Sequence, residues 1–295
     1  MELQLTDLTK QFKDFTAVDH VSCTMSSGVY GLLGVNGAGK TTLMRMLCTL
    51  ITPTHGQITL DGQDIFTMDG AYRKLLGYLP QEFGYYPDFT AEDYLLYIAS
   101  LKALKPMVAR RRVTELLHRV GLDKVRKKKV KAFSGGMKRR LGIAQAMLND
   151  PRILILDEPT AGLDPNERIR FRNLISELAE DRLVLLSTHI VSDVEYIAGE
   201  IFLMKDGVIA HSGTTEALIN TMPERVWTCT VPRKEADRLA RTCKVANVRL
   251  VPTGAELRIL SEVQPFPGAE LTEATLEDVF LSYFGEKGGD NNGTL

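Results

Sequence analysis

Short apolar runs separated by turns open the chain. Leu3, Leu5 and Leu8 alternate with polar positions, Val18 to Met25 forms a second run, and Ser26-Ser27-Gly28 closes it, a pattern that predicts an antiparallel β region over residues 1–30. Val29–Leu33 is a continuous apolar run and predicts a buried strand. Leu43, Met46, Leu47 and Leu50 then recur at helical spacing within Lys40–Leu50. Pro53 to Gly56 reads as a turn, Gln57–Leu60 with Asp61-Gly62 as a hairpin, and Gly77–Leu79 as a short strand. Residues Pro80–Asp88 are polar and turn-rich. Thr90-Ala-Glu-Asp93 is a helix-start pattern, and a helical block follows to about Val120. Ser134 predicts the cap of a helix over Gly135–Leu148, which Asn149-Asp150-Pro151 ends.

Downstream, strands at Ile153–Leu156, Leu183–Ser187 and Ile201–Lys205 alternate with helices at Pro165–Glu180 and Ser192–Ala198. That alternation predicts an α/β fold whose core sheet is mostly parallel, with helices on its faces. The character changes near Thr221–Glu224. Strands at Val226–Val231, Val248–Val251 and Glu256–Leu260 and helices at Lys234–Thr242 and Leu276–Phe284 predict a small α+β accessory domain. The expected organisation is therefore residues 1–220 as one domain, with a helical subdomain over about 88–150, then 221–284, then a disordered polar tail at 285–295.

Composition narrows the classes. A net charge of −1 on 295 residues favours neither nucleic acid nor a membrane surface as partner for the chain as a whole. No run nears the roughly 18 apolar residues of a membrane span, and the start, Met1-Glu2-Leu3-Gln4, lacks a signal pattern. The expected location is cytoplasmic, so any membrane role needs a separate partner. Cys23, Cys48, Cys229 and Cys243 are dispersed and read as reduced, inert thiols. The basic run Lys124–Lys131, with Lys138-Arg139-Arg140, reads as a solvated face of the helical subdomain.

Chemistry enters at Gly34-Val-Asn36-Gly37-Ala38-Gly39-Lys40-Thr41, which fits G-x-x-x-x-G-K-S/T between a strand and a helix. Its glycines let backbone amides face phosphate oxygens, Lys40 reaches the β- and γ-phosphates, and Thr41, followed by Thr42, offers a hydroxyl to Mg²⁺. Ile153–Leu156 ends in Asp157 and Glu158. A buried strand delivers both carboxylates to its C-terminal edge, Asp157 toward Mg²⁺ and Glu158 toward the attacking water. Phe133-Ser134-Gly135-Gly136-Met137 precedes a helix and makes a second anion-facing helix start.

Over about residues 2–215 these segments resemble the ATP-binding cassette (ABC) ATPases, with motifs in that family's order. They are Gly34–Thr41 (Walker A), Gln81 (Q-loop), Phe133–Met137 (signature), Asp157 and Glu158 (Walker B), Ala161–Asp164 (D-loop) and His189 (H-loop). The resemblance implies ATP bound between one copy's phosphate loop and the signature of a second, head-to-tail copy. It implies that Phe12 stacks on adenine, that Gln81 senses Mg²⁺ and the γ-phosphate, that His189 contacts the γ-phosphate and that Asp164 reaches across the dimer. It also implies integral membrane permease subunits as partners, at the inner face of the cell membrane. Phe133 and Met137 depart from the general Leu-Ser-Gly-Gly-Gln signature, but Ser134, Gly135 and Gly136 remain. F-S-G-G-M-K-R-R and the segment Thr275–Phe280 are similar to the branch that holds bacitracin-, lantibiotic- and multidrug-export ATPases.

The expected function is therefore an ATP-binding and ATP-hydrolysing transporter subunit, exporting a drug, peptide or other amphipathic compound. The alternative is a non-transport relative acting on ribosomes or nucleic acid. Such relatives carry two cassettes or long coiled coils, whereas one set of motifs and a short Gln81–Ser134 interval stand here. A kinase or GTPase reading lacks an N-K-x-D motif.

Overall fold

A computed structural model of the chain describes residues 1–285. The strands are β1 (Leu3–Phe12), β2 (Phe15–Met25), β3 (Gly28–Leu33), β4 (His55–Leu60), β5 (Gln63–Asp64), β6 (Leu76–Leu79) and β7 (Ile153–Asp157). They continue with β8 (Leu183–Thr188), β9 (Glu200–Lys205), β10 (Val208–Gly213), β11 (Arg225–Val231), β12 (Lys244–Val251), β13 (Gly254–Ser261) and β14 (Glu270–Leu271).

Two sheets build the first part. β2-β1-β4-β5 is antiparallel. The second has the order β10-β9-β3-β8-β7-β6, and β6 to β9 all run parallel to their neighbours through β3. Every residue of β7 and β8 is buried, as continuous apolar runs covered on both faces must be. Helices Lys40–Leu47 and Pro165–Leu178 send Leu43, Met44, Leu47, Phe171 and Ile175 inward. The parallel sheet is what matters for chemistry. It brings the C-terminal ends of β3, β6, β7 and β8 to one edge, where Gly34, Gln81, Glu158 and His189 follow within two residues of strand ends.

The expected helical block to Val120 is two helices, Ala91–Leu101 and Pro106–Arg119. Pro106 cannot continue a helix and holds Lys105 extended, so it starts a new one at its first position. Thr90 and Ser134 cap their helices by accepting the amides of Asp93 and Met137.

Packing divides the chain into two compact units, Met1–Ala210 and His211 onward, ahead of the break in sequence character near Thr221. The second unit holds the antiparallel sheet β12-β13-β11-β14. Helix Arg233–Thr242 lays Ala236 and Leu239 on Cys229, Val231, Leu257 and Ile259. Helix Leu276–Phe284 starts with a reciprocal cap between Thr275 and Asp278. Of the tail expected at 285–295, residues 286–295 lie outside the described residues.

Asp278 is the electrostatic pin of this second unit. Its carboxylate takes Nε and Nη2 of Arg258 at 2.9 and 2.6 Å and the Thr275 amide at 2.8 Å. Burial pushes its carboxyl up, but Arg258 and Thr275 outweigh that and hold it below the usual carboxylate range. A depressed folded-state pKa gives stability that is complete above about pH 3.9 and is lost as pH falls below it. Asp278→Ala strands the Arg258 guanidinium and is expected to cost about 3 kcal/mol, read as a lower urea midpoint at pH 7. The gap should shrink toward pH 3.

Candidate nucleotide-hydrolysis site

The loop after β3 is shaped by glycine where no other residue fits. Gly39 sits at φ 104° at the start of helix Lys40–Leu47, and a Cβ there would stand 2.3 Å from the Ala17 carbonyl oxygen. Asn36, Gly37, Ala38, Gly39, Thr41 and Thr42 line a cavity of 370 Å³, with Lys40, Gln81 and Glu158 on its wall. Lys40 is buried. Its Nζ donates to the carbonyl oxygens of Gly34 at 2.7 Å and Val35 at 3.1 Å and lies 3.5 Å from Glu158 Oε1. Burial pushes its ammonium below the ordinary lysine value, against the opposing pull of Glu158 and Asp157.

The two carboxylates stand at the C-terminal end of β7. Thr41 Oγ1 donates to Asp157 Oδ1 at 3.2 Å, and Ser187 Oγ donates to the same oxygen at 2.7 Å. The other Asp157 oxygen is buried and has no hydrogen-bond partner among the described residues. Glu158 is 4% exposed, deep enough that its charge must be met inside the protein. Its Oε2 lies 3.0 Å from His189 Nδ1, and its Oε1 lies 3.5 Å from the Lys40 ammonium. Glu158 also carries φ 45°, a region non-glycine residues rarely occupy, and its amide donates to Ser187 Oγ at 3.0 Å.

Several residues that sequence reasoning missed hold this arrangement. Ser187 touches both Asp157 and the Glu158 amide. Asp193, buried, accepts from Thr160 and, at 3.4 Å, from Thr188, while Thr188 Oγ1 takes the Ile190 amide at 2.9 Å. The Glu158 loop and the His189 segment are thereby tied together. Arg139 donates to the Pro80 carbonyl at 3.3 Å, and burial holds its guanidinium below its usual value against the pull of Asp157, Glu158 and Glu82. The signal available for Ser187 was a polar residue ending a fully apolar strand.

Other residues stand apart from the cavity. Phe15, not Phe12, lines it; Phe12 pairs with Phe15 across the β1–β2 turn and lies under the Lys10 ammonium. Ser134, Gly135 and Gly136 do not line it either. Ser134 caps its own helix, and a Cβ on Gly136 would stand 2.7 Å from Glu167 Oε2, so that helix start needs glycine to pass the next helix. Asp164 accepts the Glu167 amide at 2.9 Å and caps helix Pro165–Leu178.

The whole arrangement can seat a polyphosphate on backbone amides and a lysine, beside a buried carboxylate aimed past it. The family model described as ABC transporter matches residues 18–161. YxlF of Bacillus subtilis, an uncharacterized ABC transporter ATP-binding protein, is 38% identical over 79% of this chain and 77% of its own. YbhF of Escherichia coli, a probable multidrug ABC transporter ATP-binding protein, is 34% identical over 97% of this chain, which spans about half (52%) of that protein. The dimeric structure of MJ0796, a bacterial ABC transporter cassette, superposes with a TM-score of 0.66 at 25% identity over 72% of this chain and 98% of that one. The same cassette is known in a post-hydrolysis state bound to ADP and Pi. With one relative matched over more than three quarters of both chains and a shared cassette fold, this chain belongs to the ABC transporter family, as a subunit that binds and hydrolyses ATP.

Proposed function

We propose that the chain works as a head-to-tail pair with itself, in which each ATP is closed in by the phosphate loop of one copy and Ser134, Gly135 and Gly136 of the other, and that the pair drives a membrane permease. The observation that carries this reading is the separation within one chain. Gly37–Thr42 line the cavity, while the Ser134 helix start, the second anion-facing group, lies outside it. A second copy supplies what the first lacks.

The roles follow from the geometry. Loop amides and Lys40 hold the phosphates and neutralise charge that builds during transfer. Glu158, oriented by His189, accepts a proton from the attacking water. Ser187 and Asp193 keep those two segments in register. Thr41, Asp157 and Gln81 offer hard oxygen donors, and the buried, unpartnered Asp157 oxygen fits a Mg²⁺ site. When bound, Mg²⁺ neutralises phosphate charge. Phe15, at the tip of the β1–β2 hairpin, lines the cavity and serves as the adenine platform.

Export of an amphipathic compound is supported by the Phe133–Met137 signature and by the multidrug name of YbhF. No helix among the described residues is long and apolar enough to cross a membrane. Permease subunits, with this chain on their cytoplasmic side, are inferred from relatives named as ABC transporter ATP-binding proteins.

Mixed dimers test the pairing. Lys40→Met kills the phosphate loop and spares the signature; Ser134→Arg does the reverse. Each alone is expected to be nearly inactive. An equimolar, equilibrated mixture is expected to recover about one quarter of wild-type ATPase, because half the dimers hold one intact composite site. Activity no higher than that of the separate variants would overturn the shared site.

A further inference from the structure

Charge is sharply segregated in this chain. Residues 102–140 hold fifteen lysines and arginines and two acidic residues, a net of +13 in a chain whose net is −1. Local pairing uses part of this excess. Arg112 meets Glu115 and Asp150, Arg126 meets Glu92 and Asp123, Lys129 and Lys131 share Asp88, and Arg140 meets Glu167. Arg110, Arg111, Arg119, Lys124, Lys127 and Lys128 have no ion pair among the described residues, and all six are exposed.

These six lie on one helix and the turn that follows it. Ala109, Val113, Leu116 and Leu117 bury one side of helix Pro106–Arg119, which leaves Arg111 on the opposite, outward side and Arg110 and Arg119 on its two flanks. The turn that follows carries Lys124–Lys128. It is clamped on the start of helix Ala91–Leu101, whose Ala91 and Glu92 amides donate to the Lys128 and Arg126 carbonyl oxygens at 3.3 and 3.1 Å. The cations thus stand on a rigid platform. At the other end of the same helix, Met107 is 83% exposed and Val108 43%, an apolar tip beside the arginines. A solvated lysine face needs no such tip, whereas cations flanked by exposed aliphatic side chains match a headgroup layer with acyl chains beneath it.

We propose that this face of the helical subdomain rests on anionic lipid headgroups, with the six cations on lipid phosphates and Met107 at the acyl boundary. Net charge over the whole chain hides the patch, because the remaining residues carry −14. At physiological salt the attraction acts within about 8 Å, so it is the local patch that meets the bilayer. The contact would fix the subunit's tilt at the membrane independently of any protein contact. It rests on the reading that the subunit works at a membrane, but the vesicle assay below contains no permease, so the two readings fail separately.

The test is co-flotation of the full chain with vesicles of 30% phosphatidylglycerol in phosphatidylcholine, against phosphatidylcholine alone. The expected result is binding to the anionic vesicles only, weakening steeply as salt is raised. Each neutralised cation is expected to weaken binding about fivefold. Arg111→Gln with Lys124→Gln, Lys127→Gln and Lys128→Gln should therefore reduce it by about 600-fold, with ATPase activity unchanged as the control for folding. Equal binding to both vesicle types, salt-independent binding, or a quadruple variant that floats like the wild type would overturn the proposal. So would binding of duplex DNA by the same cations without vesicle binding, which would make the patch a nucleic-acid surface.

Discussion

Glu158→Gln is expected to lower kcat for ATP hydrolysis by about 10²–10⁴-fold while ATP binding persists. The side chain is buried, keeps its shape in the substitution and loses only its charge and its ability to take a proton. Its Oε2 faces His189 Nδ1 at 3.0 Å, and Oε1 is buried beside the Lys40 ammonium at 3.5 Å. That carboxylate stands on the wall of the phosphate cavity, where it can accept a proton from an attacking water. Glutamine still reaches His189 but cannot accept the proton. In the proposed arrangement loop amides and Lys40 hold the phosphates, and the change leaves Lys40 and its carbonyl partner in place. Removing a negative charge from the cavity wall favours an anionic ligand, so the variant should hold ATP at least as well as wild type. Steady-state ATPase assays with parallel nucleotide-binding measurements check both halves. Unchanged turnover would remove Glu158 from the chemistry; lost binding would make it a structural carboxylate.

Legibility in the sequence followed the physics of each feature. The phosphate loop was readable because a backbone bent around an anion demands glycine at fixed positions, and Gly39 at φ 104° is that demand in the folded chain. Strands β7 and β8 were readable because a strand buried on both faces must be apolar throughout. Ser187 and Asp193 were not, since a single polar residue acquires a role only when the sheet sets β8 beside β7. Nor could spacing decide between Phe12 and Phe15, because both flank one tight turn and only the course of the hairpin sets which reaches the cavity. The break at Pro106 carried its own signal, yet strong helical periodicity on both sides of it reads as one block. Short elements such as β14, two residues long, have no period to detect.

Lys40→Met is expected to have a larger effect on kcat/KM than any other single change in the chain, on the order of 10⁴-fold. Two losses combine. A charge-assisted hydrogen bond contributes about 1.5–3 kcal/mol net, so ATP affinity falls roughly 10- to 100-fold. A preorganised cation aimed at developing charge is worth a further 10²–10³-fold or so in kcat. The geometry says why nothing else substitutes. Lys40 is held on the Gly34 and Val35 carbonyl oxygens and within 3.5 Å of Glu158, and no other lysine or arginine among the described residues lines the cavity. Burial already disfavours the charged amine, so the site spends folding stability to keep a cation there. Methionine fills the same space without that penalty, but it leaves Glu158 without its ammonium partner. The double variant Lys40→Met/Glu158→Gln separates these terms. It should unfold at higher denaturant than Lys40→Met alone, because the stranded carboxylate is gone, and it should remain as inactive as Lys40→Met. If the double variant were the less stable of the two, Lys40 and Glu158 would not be an interacting pair, and the assignment of Lys40 as the carboxylate's buried counter-ion would fail.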